Sequence, residues 1–64
     1  MITPTSLYHR LLAYETNGSN EPDARRVISA ERQSLYLALQ SGNAARIEAT
    51  ATEAERVARM WGVL

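Results

Sequence analysis

Few side chains in this sequence of 64 residues could carry acid–base or metal chemistry. The chain has no cysteine and one histidine, His9, which lies beside Arg10 and near Glu15. A phosphate-binding glycine loop or a pair of histidines at metal-binding spacing would indicate catalysis, and the sequence contains neither motif. We therefore interpret His9 as a surface histidine on a short helix. We expect no enzymatic activity, no metal and no cofactor.

The carboxylates of the C-terminal third, Glu48, Glu53 and Glu55, are the other candidates for a reactive cluster. At helical spacing these three side chains spread around the polar side of one helix and do not converge. Glu53 precedes Arg56 by three residues, and Glu55 precedes Arg59 by four, which are the spacings of ion pairs on a helix surface. We therefore expect a solvated, salt-bridged surface here.

Two long helices are predicted to carry most of these residues. Gly42 suits the left-handed conformation just past a helix end, and Asn43 directly after it is a good N-cap. A residue that ends one helix, directly followed by an N-cap of the next, leaves almost no loop. This predicts an antiparallel helical hairpin, with helices over about 21–41 and 43–61. This hairpin dominates an expected all-α fold of three helices in a single small domain, 1–64.

The remaining helix is short and precedes the hairpin, over about 4–16. Thr3 suits its cap position and Pro4 its first turn. The turn residues from Thr16 to Ser19 end this helix, and Asn20 is a candidate cap for the next one.

The second helix has an apolar face with one charged residue in its middle. Stepping about 100° per residue places six apolar positions on one side of the helix. They are Ala24, Val27, Ile28, Leu35, Ala38 and Leu39. The opposite, polar side is expected to hold Arg25, Ser29, Arg32, Gln33 and Gln40. Glu31 falls within the apolar face, where a charged side chain needs an explanation. One interpretation is that it snorkels to solvent or pairs with an arginine across the hairpin. The other is that it fixes the register or the choice of partner at an interface.

The apolar stripe of the third helix consists mainly of small residues. Its members are Ile47, Ala51, Ala54, Ala58 and Trp61, widened by Thr50 and Val57. Alanine contributes little buried area, so we expect so small a chain to self-associate or to need a partner. Trp61 is interpreted as completing the core, and its alternative role is at a binding surface. Tyr36 and Leu37 lie off the stripe of the second helix and are better candidates for an exposed contact.

The charge pattern bears on partners and location. Basic and acidic residues number seven each, all the basic ones are arginine, and each third of the chain sums to zero. Nucleic-acid binding is therefore not expected, because such proteins concentrate basic charge. The sequence has neither a membrane-spanning apolar run nor a secretory signal at its start, which predicts a cytoplasmic protein. The exclusive use of arginine is consistent with a GC-rich bacterial or phage source.

Taken as a whole, the sequence favours a small protein–protein interaction module: an adaptor, co-chaperone or inhibitor that buries a helix face against a partner or a second copy. The residues expected at this contact are Glu31, Leu35, Tyr36, Leu37, Leu39, Val57 and Trp61. The alternative is a small helix-turn-helix-like DNA-binding regulator. Its phosphate contacts would come from Arg25, Arg26, Arg46, Arg56 and Arg59.

Overall fold

The computed structural model describes residues 2–17 and 21–64, which form three helices and, within these ranges, no strand. In chain order the helices are α1 (Pro4–Asn17), α2 (Pro22–Ser41) and α3 (Ala44–Met60). α2 packs against both of its neighbours, and α1 also contacts α3. The predicted all-α fold of three helices is confirmed, and each predicted helix end lies within one residue of the observed one. None of the three helices is long and apolar enough to cross a membrane.

Side-chain caps fix the starts of α1 and α3. The Thr3 hydroxyl and the Asn43 side-chain oxygen each accept a hydrogen bond from the backbone N–H three residues on, both at 3.1 Å. Such a cap stabilises a helix by about 1 kcal/mol, and both caps were expected from the sequence. At α2 the N-cap position is Glu21. Residues 18–20, which include the cap candidate Asn20 and the second half of the predicted turn, lie outside the described part of the chain.

Glycines in the left-handed conformation end α2 and α3. Gly42 has φ 68°, and its N–H donates to the Leu39 carbonyl at 3.4 Å, which confirms the predicted hairpin turn. After α3, Gly62 has φ 74°, and the next N–H, that of Val63, reaches back to the Ala58 carbonyl at 2.8 Å. This second pattern is a Schellman motif, which satisfies late helix carbonyls and turns the chain sharply.

The core lies where the three helices meet, and small residues make up much of it. Its buried members are Leu7 and Leu11 of α1; Ala24, Ile28, Leu35 and Ala38 of α2; and Ala54, Val57 and Ala58 of α3. Only four large side chains in the described ranges are fully buried, namely Leu7, Leu11, Ile28 and Leu35. The predicted apolar face of α2 is confirmed, and the core is as weak for its size as its alanines imply.

Trp61 does not complete this core, so that interpretation is wrong. The residue occupies the C-cap position beyond Met60, and 38% of its surface is exposed. The physical reason is the Schellman turn at Gly62, which redirects the chain so that Val63 and Leu64 pack against the core. A stripe read at helical spacing does not extend past the residue where the helix ends.

Candidate functional site

A groove of about 800 Å³ runs between the start of the chain and the outer side of α3. Its apolar walls are Ile2, Pro4, Ala44, Ile47 and Ala51, and its polar rim is Glu48, Thr52, Glu55, Arg56 and Arg59. We call this surface the α3 groove. Ile47 and Ala51 belong to the predicted apolar stripe but are only half-buried, because they lie at its open edge beside the groove.

Both signs of charge border the α3 groove. Arg59 donates to the Glu55 carboxylate through Nε and Nη2 at 3.2 and 3.1 Å, as the i,i+4 spacing predicts. Glu48 lies on the same rim, about two turns before Glu55. With Arg56, the rim therefore holds two acids and two bases, and it favours neither anionic nor cationic ligands.

A polar seam joins α1 to α2. The carboxylate of Glu15 pairs with the guanidinium of Arg32, and these side chains are only 22% and 20% exposed. Arg25 Nη2 donates to the backbone carbonyl of Glu15 at 3.4 Å. Burial raises the pKa of Glu15, but hydrogen bonds from Arg32 and Ser29 and the charges of Arg32 and Arg25 outweigh it and bring that pKa below its ordinary value.

The placement of Arg32 corrects the sequence interpretation, which put it on the solvated side of α2. α2 is the middle helix and is covered from two directions, so its buried arc is wider than its apolar stripe. The same seam holds Tyr8 and Tyr36, whose ring centroids lie 5.9 Å apart. One side of Tyr36 is thereby covered, although 44% of the residue is exposed. His9, next to Tyr8, is exposed, as predicted.

Glu31 lies in the other seam, between α2 and α3, and is half-buried. Burial raises its pKa, the negative charge of Glu53 raises it further, and the positive charge of Arg56 opposes both. Arg56 is the arginine across the hairpin that one interpretation of Glu31 required. Its guanidinium, however, forms a two-pronged hydrogen-bonded pair with Glu53, with Nη2–Oε1 at 2.6 Å and Nε–Oε2 at 3.2 Å. Arg56 therefore forms its ion pair with Glu53, and it acts on Glu31 only through its charge.

The seven residues predicted at a partner contact lie in three different environments. Two are buried inside the chain, namely Leu35 and Val57. Two are half-buried, namely Glu31 and Leu39. Three are exposed, namely Tyr36 at 44%, Leu37 at 57% and Trp61 at 38%. Met60, at 69%, is a further exposed apolar residue that the predicted set lacks. The available contact surface on α2 is therefore smaller than predicted, and at the end of α3 it consists of Met60 and Trp61 in place of Val57 and Trp61.

The α3 groove is the part of the surface that sequence reasoning missed. Its apolar walls combine the start of the chain, at Ile2 and Pro4, with the first two turns of α3. This arrangement depends on the position of the start of α1 relative to α3. The spacing of residues within one helix contains no information on that position. The available signal was Ile47, the one large apolar residue in the first half of a helix otherwise lined by alanine.

The arginines named for a DNA contact are dispersed, and several are already engaged. Arg25 donates to a backbone carbonyl, whereas Arg56 and Arg59 form ion pairs with acids on their own helix. Arg26 and Arg46 are exposed on different helices. No single basic face results from the arginines in this set.

No protein-family model, curated protein or solved structure matches the chain. Across residues 2–17 and 21–64, no group of three or more histidine or acidic side chains is placed to hold a metal ion. The candidate site is therefore defined by the shape, polarity and charge of the surface.

Proposed function

We propose that this protein is a small interaction module that works by burying a helix face against another protein chain. The observation that carries the proposal is the distribution of large apolar side chains in the described ranges. Four are fully buried, namely Leu7, Leu11, Ile28 and Leu35. Four are exposed, namely Tyr36, Leu37, Met60 and Trp61. Fully burying one such side chain contributes about 1.5–3 kcal/mol. The second set is between 38% and 69% exposed, so a partner that covered it would add roughly half the stabilisation of the first set.

The residue types at these positions support a protein partner. Aromatic residues and methionine are enriched at protein interfaces, and Tyr and Trp recur among the residues that dominate binding free energy. Leu37 is central to the proposal because it lies on the solvated side of α2 and is 57% exposed. An adaptor, co-chaperone or inhibitor would act in the same physical way, by covering apolar surface on its partner.

The DNA-binding alternative has less support. Binding to duplex DNA releases counterions in proportion to the phosphates neutralised, which requires several arginines on one face. Arg25, Arg56 and Arg59 already donate to acceptors within the chain. A titration of the protein against genomic DNA fragments at two salt concentrations tests this alternative directly. Tight binding that weakens steeply with added salt would favour the regulator over the interaction module.

Affinity capture from the cells that encode the protein, followed by quantitative mass spectrometry, tests the main proposal. Two variants, Leu37→Gln and Trp61→Gln, remove exposed apolar surface, and Gln33→Ala on the exposed side of α2 is the matched control. We expect a partner that binds the wild type and Gln33→Ala but is depleted with at least one apolar variant. Truncating a central interface residue costs about 2 kcal/mol, or roughly a thirtyfold rise in Kd, which calorimetry with the purified partner would measure.

Two results would contradict the proposal. One is a set of captured proteins that is identical for the wild type and both apolar variants. The other is a wild-type protein that captures no specific partner and stays monomeric at high concentration in light scattering.

A further inference from the structure

We propose that the α3 groove is a self-association surface, on which a second copy of this chain packs its own α3 in antiparallel orientation about a two-fold axis. This inference goes beyond the proposed function, because the α3 groove is a different surface from the exposed apolar residues on which that proposal rests. Apolar walls at Ile2, Ile47 and Ala51 supply area to bury, and the charges on the rim supply the orientation.

The orientation follows from the positions of Glu48 and Arg59. The two residues line the same groove and are separated by three helical turns, or about 16 Å. Arg59 also pairs with Glu55 of its own helix, and the rim residues Glu55, Arg56 and Arg59 together sum to one positive charge. A negative charge at Glu48 therefore stands near one end of the groove, and a net positive charge stands near the other. Turning a second copy end for end places Glu48 opposite Arg59 of the second copy, and two-fold symmetry repeats the pair. An interface that matches itself in this way closes as a dimer and does not propagate into a filament.

The remaining polar side chains select one register for the pair of helices. When Glu48 faces Arg59 of the second copy, Glu55 faces Thr52 of the second copy, and no two like charges stand opposite. Sliding the helices by one turn in one direction brings Glu48 against Glu55 of the second copy, which is repulsive. Sliding them in the other direction carries Glu48 beyond the end of the opposing α3. Charge complementarity thus points to a second copy in one particular arrangement.

The size of the surface sets the expected affinity. α3 has 17 residues, so the contact is about 25 Å long and about 10 Å wide. This is smaller than a standard interface, which buries about 800 Å² on each partner. We therefore expect a dissociation constant on the order of micromolar or weaker, and a dimer that forms as concentration rises.

Reversing the charges tests the arrangement. Glu48→Arg sets arginine against arginine in the proposed dimer, and Arg59→Glu sets glutamate against glutamate. We expect each variant alone to dimerise at least tenfold more weakly than the wild type in sedimentation equilibrium. An equal mixture of the two variants should restore the dimer, because both facing pairs are again opposite in sign. The double variant Glu48→Arg/Arg59→Glu should also dimerise, since it exchanges the two charges.

The controls separate charge from folding. Arg46→Glu makes the same charge change as Arg59→Glu at an exposed position of α3 that does not line the groove, and it should dimerise like the wild type. Circular dichroism establishes that each variant keeps its helices. If a reversal unfolds the chain, Glu48→Gln and Arg59→Gln replace it. Each neutral variant should weaken the dimer, and mixing the two should restore it in part, because the mixed dimer keeps one Glu48–Arg59 pair and sets Gln against Gln at the other.

The outcomes distinguish this inference from the proposed function. A wild-type protein that stays monomeric at millimolar concentration overturns the inference but leaves the proposal of a different protein partner standing. A dimer that tolerates both charge reversals also overturns it, since self-association would then use another surface. Loss of the dimer with each single variant and its recovery in the mixture supports the inference.

Discussion

The two seams of this small bundle each contain a half-buried glutamate, and the pKa values of the two carboxylates are shifted in opposite directions. Glu15, between α1 and α2, has a pKa below its ordinary value, whereas Glu31, between α2 and α3, has a pKa above it. Burial acts on both in the same direction. The difference lies in the neighbours, because Glu15 meets an arginine and a serine hydroxyl, and Glu31 meets a second carboxylate.

This contrast indicates how each helix is attached to α2. α1 is held by specific polar contacts, among them the pair Glu15–Arg32 and the ring contact Tyr8–Tyr36, as well as by Leu7 and Leu11 in the core. α3 is held mainly by the packing of small side chains and faces a carboxylate that opposes burial. α3 therefore gains less stabilisation than α1 from contacts within the chain, and α3 is also the helix that borders the groove. We infer that α3 has the most stabilisation to gain from a partner.

Breaking the polar seam should have the largest effect on stability. Arg32→Leu leaves Glu15 half-buried without its main donor, so the free energy of unfolding should fall by about 1 kcal/mol. Water still reaches both side chains and keeps the loss from being larger. Thermal melts followed by circular dichroism should show Tm lower by about 4–8 °C. Arg26→Leu, an exposed position on the same helix, is the control and should melt near the wild type. Equal melting of the two variants would show that the polar seam contributes nothing.

Removing the charge of Glu31 from the seam between α2 and α3 should change stability by a smaller amount and in the opposite direction. Glu31→Leu abolishes a carboxylate that burial and Glu53 disfavour, and it extends the apolar face of α2. Exchanges of fully buried ionic groups for apolar ones are neutral or stabilising by about 1–4 kcal/mol. Glu31 is only half-buried, so we expect a gain of about 0.5 kcal/mol and a Tm no lower than that of the wild type. Gln33→Leu, on the exposed side, is the control. A much lower Tm would mean that Glu31 belongs to a satisfied pair whose other member is left stranded.

The two carboxylates should also respond to pH with opposite signs. The lowered pKa of Glu15 means that its stabilisation is present above the ordinary pKa, 4.5, and is lost as pH falls through the lowered value. The raised pKa of Glu31 means that its penalty is present at neutral pH and is relieved as pH falls through the raised value towards 4.5.

Neutral substitutions make this difference measurable. At about pH 7, Glu15→Gln should melt below the wild type and Glu31→Gln above it, and both differences should shrink towards about pH 3. Melting curves collected across this range provide the test. Differences of the same sign for the two variants, or differences that do not change with pH, would contradict the assignment of the two seams.

Contacts within one helix could be predicted from the sequence, whereas contacts between helices largely could not. The caps at Thr3 and Asn43, the turn at Gly42 and the pair Glu55–Arg59 all depend on residues at most four positions apart. Their geometry is fixed by the helix itself, so spacing is sufficient to predict them. The apolar face of α2 follows from the same periodicity.

The contact between Glu15 and Arg32 depends instead on the register of two helices. Local spacing contains no information on that register, and Arg32 alone resembles any solvated arginine. The wrong prediction for Trp61 has a related origin, because the burial of a residue after the helix end depends on how the C-terminal cap turns the chain. The α3 groove likewise depends on the placement of Ile2 beside α3. Periodicity identified the helices that form the candidate site, and the packing between them determined its shape.

The smallest expected effect concerns Glu53, whose replacement should make the environment of Glu31 resemble that of Glu15. Glu53→Gln removes the negative charge that raises the pKa of Glu31, and it releases Arg56 from its two-pronged pair. Both changes favour the ionised form of Glu31, so its pKa should fall. Stability at neutral pH should change little, since the exposed pair is lost while the repulsion is relieved.

A titration of the Glu31 side-chain carboxyl carbon by NMR measures this pKa directly in both proteins. Glu48→Gln is the matched control, because Glu48 is an exposed carboxylate of α3 that does not contribute to the raised pKa. The control should leave the Glu31 titration unchanged. If Glu53→Gln leaves it unchanged as well, burial alone raises the pKa of Glu31. The contrast between the two seams would then arise from the donors around Glu15 and not from the acid opposite Glu31.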